Sequence, residues 1–538
     1  QQTTVSINGV PYSSPQTGTV NFADFFPDGY RAIELSRSAT SPAYNALGGN
    51  VDFSIRPDKT AAQVKTGAGS FGERIAHISA DYLKGKTAFR AGYHLLRAAD
   101  DFPFSLNGES GTRSHAGFLT RRYQFFASHQ ASPATEISYL ASGFFNEQEV
   151  PGPVVKGNPV QPDGELLQED HFFYLRLKHQ PKAAKGLLPA RAAATVRYHF
   201  DDLDYLLSGR SQRYVNRDIF ASADFVHLFG QQSLESSFQY AYTRLQGNNL
   251  AVGFRPVTSV DRQQLNAGLS HKLYLGGADS TGHRWVSESV FRVNYLEAYG
   301  LLPNAGLNLH WQAGRSLALF SHWHYGHRIP AFNELYYFGY GNAGLAPEKV
   351  RSADVGMLIQ REGAIDLSLK ISAFANQTHD KIISVPINPA RWSTYAIGKT
   401  QSLGGELSLE ARTDERNYAY FSYTLQKAQD LTRSNKPLLP YTPQELASYG
   451  FQLARGHMEV GANGQLSGWR YSLLQNDAGS FLPAYHVLDV QAGYLIPTRW
   501  FTYKIMVQAE NVLDARYEVI RSYPMPPASY RVVVLLRF

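Results

Sequence analysis

Along most of the chain apolar and polar residues take turns, so that each short segment has one oily face and one wet face. Ile365, Leu367, Leu369, Ile371 and Ala373 alternate with Asp366, Ser368, Lys370 and Ser372. Phe89, Ala91, Tyr93 and Leu95 alternate with Arg90, Gly92 and His94, and Phe173, Leu175 and Leu177 with Tyr174, Arg176 and Lys178. Val460, Ala462 and Leu466 stand against Glu459, Asn463 and Gln465, and Leu488, Val490, Ala492 and Tyr494 against Asp489, Gln491 and Gly493. Helical spacing is scarce. The period predicts strands that separate two different media, and no run approaches the ~18 to 20 apolar residues of a membrane helix.

The connections between these strands alternate in length. Short polar turns are predicted at Leu83–Lys86, Gln312–Ser316, Gln360–Ala364, Arg412–Asn417, Ala454–His457 and Ile496–Trp500. Longer Gly- and Pro-containing loops are predicted at Asp101–Arg113, Glu149–Asp170, Arg328–Pro347, Asn376–Ile397, Asp430–Thr442, Ser467–Pro483 and Asp514–Ala528. A soluble sandwich or propeller also alternates, but it has no reason to segregate short turns from long loops; an outer-membrane barrel does. Counting strands from Ala61 gives 22 in the 481 residues after Pro57, enough for strands of ~9 to 11 residues plus their connections. An even count lets the first and last strands pair, removing the edges that lipid does not tolerate. The fold class is therefore all-β, a 22-stranded antiparallel transmembrane β-barrel over residues 58–538. In its last strand Tyr530, Val532, Val534, Leu536 and Phe538 share one face and Arg531 and Arg537 the other, which resembles the C-terminal assembly signal of outer-membrane proteins.

Composition sharpens this picture. The chain of 538 residues contains 33 Tyr, 31 Phe and 6 Trp, and such aromatic enrichment suits strands and membrane interfaces. It contains no Cys, which excludes disulfides, thiolate metal sites and cysteine nucleophiles. The net charge of +6 is spread without a dense basic block, so nucleic acid is not an expected partner, whereas anionic lipid headgroups are compatible. There is no Gly-x-Ser-x-Gly elbow, phosphate loop or His-Glu-x-x-His, and no enzyme activity is expected.

Residues 1–57 have a different texture, with short β-like runs and a Gly-rich end. Asn8-Gly9 reads as a tight hairpin turn, and Gly48-Gly49 permits close backbone approach. Val5-Ser6-Ile7-Asn8-Gly9-Val10-Pro11-Tyr12, then Tyr30 to Arg37 and Tyr44 to Val51, resemble the second half of the plug domain of TonB-dependent outer-membrane receptors. Arg328-Ile329-Pro330, Glu334-Leu335 and Leu345-Ala346-Pro347-Glu348-Lys349 resemble that family's mid-barrel series, and Glu510 to Asp514 with Tyr523-Pro524-Met525-Pro526 its terminal one. Arg37-Ser38, the short stretch from Tyr44-Asn45 to Gly48, and Pro526-Pro527 depart from the usual pattern.

The resemblance implies a partial N-terminal α+β plug (1–57) inside the barrel lumen (58–538), in the outer membrane of a Gram-negative bacterium. It implies active uptake of a scarce, large ligand without covalent chemistry, most suitably a ferric siderophore or similar metal chelate, with cobalamin or a glycan as alternatives. No resident cofactor is expected. The implied partners are the TonB-ExbB-ExbD energy complex, through a TonB box outside this chain, lipopolysaccharide and other outer-membrane lipids, and a surface protein. A passive channel or a structural barrel of a larger assembly is the reading from another class.

For ligand contacts the loop Arg328–Pro347 offers Tyr336, Tyr337 and Tyr340 as stacking surfaces and Arg328 and Glu334 as charges, with Tyr12 from the plug. The same rings suit a membrane girdle or loop packing, and the charges suit the lumen wall. Period two places His322 and His324 on one strand face, where two imidazoles bind a transition metal or simply line a polar lumen. Residues 329–347 hold no His, which lowers haem among the ligands.

Overall fold

The computed structural model describes residues 3–538 apart from 13, 15, 37–47, 107, 158–162, 182–187, 208, 277–282 and 389–390. The motif residues Arg37-Ser38 and Tyr44 to Leu47 lie outside the described residues. Among the described residues 22 strands close into one antiparallel barrel, the first, Ala61–Gly69, pairing with the last, Ser529–Arg537, with Val533 opposite Gly67. With the barrel closed, the strands of the wall pair with a neighbour on both sides, and no edge faces lipid.

The wall is built inside out relative to a soluble sheet. Ile78, Tyr93, Phe125, Leu175, Phe238 and Leu269 are exposed on its outer face, while His94, Arg122, Gln124, Asp218, Asn266 and Arg292 are buried on its inner face. The face assignment read from period two holds for the strands named above and for the terminal one, in which Tyr530 and Val532 face outward and Arg531 pairs inside with Glu73 (3.0 Å). The physical test is a charge at mid-depth. Ile505, 41% exposed in the middle of the strand Thr502–Glu510, is expected to lose about 2–4 kcal/mol of folding free energy in liposomes on substitution by Arg. Lys504 beside it points inward to Glu459 and is tolerated for that reason. Equal unfolding midpoints for Ile505→Arg and the parent in a urea titration would contradict a lipid-facing position.

The six predicted short turns all lie at the end where the chain's Phe538 bonds Ala62 (2.9 Å), and the loops 99–117, 329–347, 431–444, 468–484 and 511–528 lie at the other. Two predicted loops are corrected. Half of Glu149–Asp170 is strand, in Thr135–Pro151 and Asp163–His179, and Asn376–Ile397 is mostly the tip of a hairpin formed by Asp366–Asn388 and Arg391–Asp414. Strands of 23 and 24 residues run far past the ~9 to 11 that cross a bilayer, because backbone pairing continues beyond the lipid wherever side chains such as Ile382, Ile383 and Val385 favour it. The segregation of short from long connections is likewise incomplete: at the loop end, Gly253-Phe254 alone joins Gln232–Val252 to Arg255–Leu275.

The N-terminal residues form a separate four-stranded sheet in the order Val10–Pro11, Thr4–Ile7, Asn50–Ser54, Ala32–Ser36. Its first hairpin is the Asn8-Gly9 turn, with both residues at positive φ (50° and 74°), the twist that a two-residue hairpin requires. Val5, Ile7, Tyr12, Phe25, Phe53 and Ile55 form one apolar cluster with Phe126, Leu140, Phe172 and Tyr174 of the inner wall, so this sheet sits in the lumen. Four wall arginines, three of them buried and Arg176 half-buried, grip its backbone. Arg176 donates to the Asn8 carbonyl (2.8 Å), Arg197 to that of Pro11 (2.6 Å), Arg90 to that of Asp28 (2.7 Å), and Arg122 to that of Ala23. Charged donors make such bonds roughly twice as strong as neutral ones, and carbonyl acceptors make them independent of the side chains in the segment held.

Candidate functional site

The loop 329–347 is built around the charges that precede and follow it. Arg328 spreads its guanidinium over both Glu334 oxygens (3.0 and 3.1 Å) and over Glu348 Oε1 (2.8 Å). Glu334 Oε2 accepts the Ala331 N–H (2.7 Å) and so closes the first turn of the short helix Phe332–Tyr336. Glu348 is fully buried, accepts the Ile382 N–H (2.8 Å) and lies 3.6 Å from Lys381 Nζ. Two cations and two anions thus neutralise each other. Arg328 and Glu334, expected as ligand contacts, are brought together, and their charged atoms bond each other, Glu348 and the Ala331 N–H.

The aromatics of that loop are divided among three neighbours. Tyr337 stacks on Tyr214 (4.0 Å, 9°) and its hydroxyl accepts from Gln16 Nε2 (2.6 Å). Tyr340 exchanges a hydrogen bond with Ser384 Oγ (2.6 Å), and its carbonyl accepts the Thr394 N–H (3.1 Å) of the long hairpin. Tyr336 packs between the apolar clusters around Phe332 and Leu335. The N-terminal segment touches the loop twice more: Asn333 N–H donates to the Gln16 carbonyl (2.8 Å), and Gly18, at φ +64°, approaches so closely that an added Cβ would stand 2.9 Å from that of Ala331. The loop at the mouth is therefore in direct contact with the N-terminal segment at Gln16 and Gly18.

Tyr12 is buried in the lumen, 5.1 Å from both Phe25 and Phe172, and donates to Asp170 Oδ1 (3.2 Å), whose other oxygen meets His199 Nε2 (2.7 Å). Asp24 belongs to the same polar group. Burial lifts its carboxyl from 3.8 to about 7, Arg122 opposing the rise and Asp170 and Asp201 adding to it. A carboxyl raised in the folded state holds a proton that the unfolded state has released, so the segment is held most firmly below about pH 4 and progressively less as pH rises through about 7. Asp24→Asn is expected to remove this loss, leaving hydrogen exchange of residues 21–30 flat in free energy between pH 4 and 8 while the parent's protection falls.

His322 and His324 share the inner face as the period requires. His322 Nδ1 is held by its cross-strand partner Asp354 (2.7 Å), and among the described residues neither ring nitrogen of His324 meets a hydrogen-bond partner. No group of three or more His, Cys, Asp or Glu set to hold a metal ion occurs among the described residues. The terminal motif is loop architecture. Asn511 and Asp514 both adopt φ of 49°; Asn511 binds Ala515 N–H (2.9 Å) and the Pro526 carbonyl (3.2 Å), and Asp514 accepts the Ala528 N–H (3.1 Å).

One further surface feature comes from residues that no motif marked. A cavity of about 550 Å³ opens between the long hairpin and the loops 431–444 and 468–484, lined by Val385, Tyr395, Ile397, Asp430, Arg433 and Leu473. Tyr395 is 47% exposed and the Arg433 side chain 49%. Trp392 stacks on Tyr441 (6.0 Å, 27°) at the hairpin tip, and Arg470 lies over the Tyr485 ring (5.3 Å), itself stacked on Tyr517 (4.5 Å). Arg113 covers Tyr523 (5.5 Å) and donates to the carbonyls of Gly152 (3.1 Å) and Pro151 (3.3 Å). Arg113 and Arg470 are buried, so the exposed groups at the cavity are Tyr395 and Arg433, brought together by loop assembly rather than by local sequence. The size of the cavity falls in the range of ligand cavities.

A family model described as TonB dependent receptor-like, beta-barrel matches residues 7–512. A vitamin B12 transporter, BtuB of Vibrio vulnificus (strain YJ016), is 24% identical over 204 residues, which make up 37% of this chain and 30% of that protein. The match thus spans less than a third of the curated relative's length. Among solved structures, the copper transporter OprC aligns with TM-score 0.80 and 14% identity over 100% of this chain and 91% of its own. The ferric enterobactin receptor PfeA of Pseudomonas aeruginosa, in a mutant form, gives TM-score 0.79 and 12% identity over 100% and 90%. The FrpB iron transporter of Neisseria meningitidis gives 0.76 and 13% over 100% and 93%. At these identities the structural likeness speaks for the fold.

Proposed function

Because this chain belongs to the TonB-dependent receptor β-barrel family, outer-membrane proteins of Gram-negative bacteria that are not enzymes, we propose that it takes up a large metal chelate, most suitably a ferric siderophore, by energy-coupled transport. Residues 1–57 are then part of a plug and 58–538 the barrel. The observation that carries this reading is the direct tie between mouth and lumen, in which Tyr337 and Asn333 of the loop bond Gln16 of the N-terminal segment. A ligand that moves the loop alters the hold on the segment, and force on the segment alters the mouth, which a passive pore does not need.

In this reading the ligand lies against Tyr395, Arg433 and the neighbouring rings, where stacking and a guanidinium suit an anionic, aromatic chelate. Tyr340 joins it from the loop edge. Arg328, Glu334, Tyr336 and Tyr337 hold the loop in position, and Tyr12 helps seat the segment. His322 and His324 line the lumen below. Work is supplied by the TonB-ExbB-ExbD complex. Cobalamin is the second ligand, favoured by the name of the curated relative.

The test is titration of the purified chain with ferric enterobactin and with cyanocobalamin, read by tryptophan fluorescence, beside uptake in cells with and without a protonophore. Saturable binding of one ligand is expected, weakened about tenfold by Tyr395→Ala or Arg433→Gln, with uptake abolished by the protonophore. Removal of one stacking or charged contact at a partly exposed site accounts for that factor. Absence of binding together with a large single-channel conductance would give the chain to the passive channels.

A further inference from the structure

Behind the N-terminal segment the inner wall sets two carboxylates against each other. Asp170, Asp201 and Asn216 form one cross-strand row on Asp163–His179, Arg191–Leu207 and Arg210–Phe229, with Asp170 directly opposite Asp201 and Asp201 directly opposite Asn216. Asp170 and Asp201 are each 4% exposed and Asn216 is 0% exposed. Directly opposed residues stand ~4.5–5.5 Å apart at Cβ, and like charges at that separation destabilise a sheet. Asp24 of the segment adds a third acid to the same field: Asp170 and Asp201 both push its carboxyl up, and all three act on Tyr12.

The bases around this group are committed elsewhere. Arg197 pairs with Asp218, His199 Nε2 bonds Asp170 (2.7 Å), and Arg122, which faces Asp24, donates to the Ala23 carbonyl. Among the described residues the side chain that bonds Asp201 is the neutral Gln168, through Nε2 (3.0 Å). Four buried acids, Asp24, Asp170, Asp201 and Asp218, thus face two guanidiniums and one imidazole.

Two buried amides beside Asp201 have oxygens to give. Among the described residues neither Oδ1 nor Nδ2 of Asn216 meets a hydrogen-bond partner, nor does Oε1 of Gln16, which is also 0% exposed. Gln16 hangs over the row: its Nε2 bonds Tyr337, Tyr337 stacks on Tyr214, and Tyr214 precedes Asn216 by two positions on the same inner face. A buried amide oxygen left without a partner is costly, and native structures supply one. The carboxylates alone do not converge on a metal centre among the described residues, so amide oxygens have to complete the shell. Calcium takes carboxylate and amide oxygens together with water in a flexible shell, whereas magnesium demands a near-ideal octahedron.

We propose that Asp201, Asn216 and Gln16 bind a calcium ion in the lumen, between the wall and the N-terminal segment, with Asp24 and Asp170 as the surrounding negative charge. The ion pins the segment to the wall next to the contact that Gln16 makes with the mouth loop. The proposal rests on the lumenal seat of the segment and is independent of which nutrient the mouth binds and of how uptake is energised.

The experiment uses the full chain in dodecyl maltoside at pH 8, stripped of divalent ions with EDTA, and follows terbium emission sensitised by Tyr12, Tyr214 and Tyr337 while calcium is added to displace the probe. Saturable emission that calcium reverses is expected in the parent. Asp201→Asn is expected to weaken binding at least about tenfold and Asn216→Asp to strengthen it about tenfold, since the charge of the ligand set tunes calcium affinity over decades. Asp202→Asn, on the other face of the strand and paired with Arg213, leaves binding unchanged. Hydrogen exchange of residues 16–30 is read in parallel: calcium at about ten times its Kd slows it about tenfold in the parent and in Asn216→Asp, and leaves Asp201→Asn unaffected. Heat-modifiable gel migration reports whether each variant is folded. Emission that calcium does not reverse, binding equal in the parent and in folded Asp201→Asn or Asn216→Asp, or exchange indifferent to calcium overturns the proposal. An equal response to magnesium at the same concentration overturns the assignment to calcium.

Discussion

Replacing Glu348 by alanine is expected to release the loop 329–347 from the wall at a cost of about 3–5 kcal/mol, the range for breaking a buried ionic network by removing one member. Glu348 is fully buried and answers three groups at once: Arg328 Nη2 at 2.8 Å, the Ile382 N–H at 2.8 Å and Lys381 Nζ at 3.6 Å. Without it Arg328 keeps Glu334 alone, Lys381 loses its ion-pair partner, and a buried amide loses its acceptor. Hydrogen exchange of residues 331–345 should accelerate at least a hundredfold, since about 3 kcal/mol corresponds to roughly that factor in the opening equilibrium. Glu348→Gln keeps an acceptor for Ile382 and should lose less than half as much. Exchange in Glu348→Ala indistinguishable from the parent would mean that the loop is held by Phe332 and Leu335 rather than by charge.

The second large effect concerns Arg197. Its side chain is 4% exposed, pairs with the equally buried Asp218, lies over the Phe220 ring (4.9 Å) and donates to the Pro11 carbonyl (2.6 Å). Arg197→Ala leaves Asp218 with Thr243 as its remaining donor (2.6 Å) and frees the segment at Pro11, an expected cost of about 3–5 kcal/mol. Residues 4–12 should become accessible to exchange and to protease, and single-channel conductance should rise as the segment loosens. Arg197→Lys is expected to recover only part, because a point charge cannot fork between a carboxylate and a carbonyl. Ile33→Ser, on the exposed strand Ala32–Ser36 of the same sheet, serves as the neutral comparison, within about 0.5 kcal/mol. A closed, protected segment in Arg197→Ala would show that the apolar cluster around Ile7 and Phe53 suffices to hold it.

The motifs that identify the family turn out to be the loop's own fastenings. Arg328, Glu334 and Glu348 neutralise one another, and Asn511 and Asp514 fold the connection 511–528 around positive-φ turns. Such residues are legible in a sequence because their partners lie within about twenty positions of each other. The groups proposed to meet the ligand from outside that loop, Tyr395 and Arg433, carry no comparable local signal. They come from strands and loops that meet only when the barrel closes, and no short segment contains two of the elements involved.

What the sequence determined by itself was everything that depends on side-chain period and local turn chemistry. Period two fixes which face of each strand meets lipid, so the count of 22 strands, the closure of Ala61–Gly69 on Ser529–Arg537 and the outward Tyr530 to Phe538 row could all be read from it. Asn8-Gly9 fixed the first hairpin of the lumenal sheet. Tertiary structure alone decided where pairing continues beyond the membrane, as in Asp366–Asn388 with Arg391–Asp414, since Pro and Gly there read as loop until a partner strand supplies the bonds. It alone decided that Arg90, Arg122, Arg176 and Arg197 hold backbone carbonyls of the lumenal segment. Alternation says that an arginine faces inward; what stands opposite it across the lumen is set by contacts tens to hundreds of residues apart.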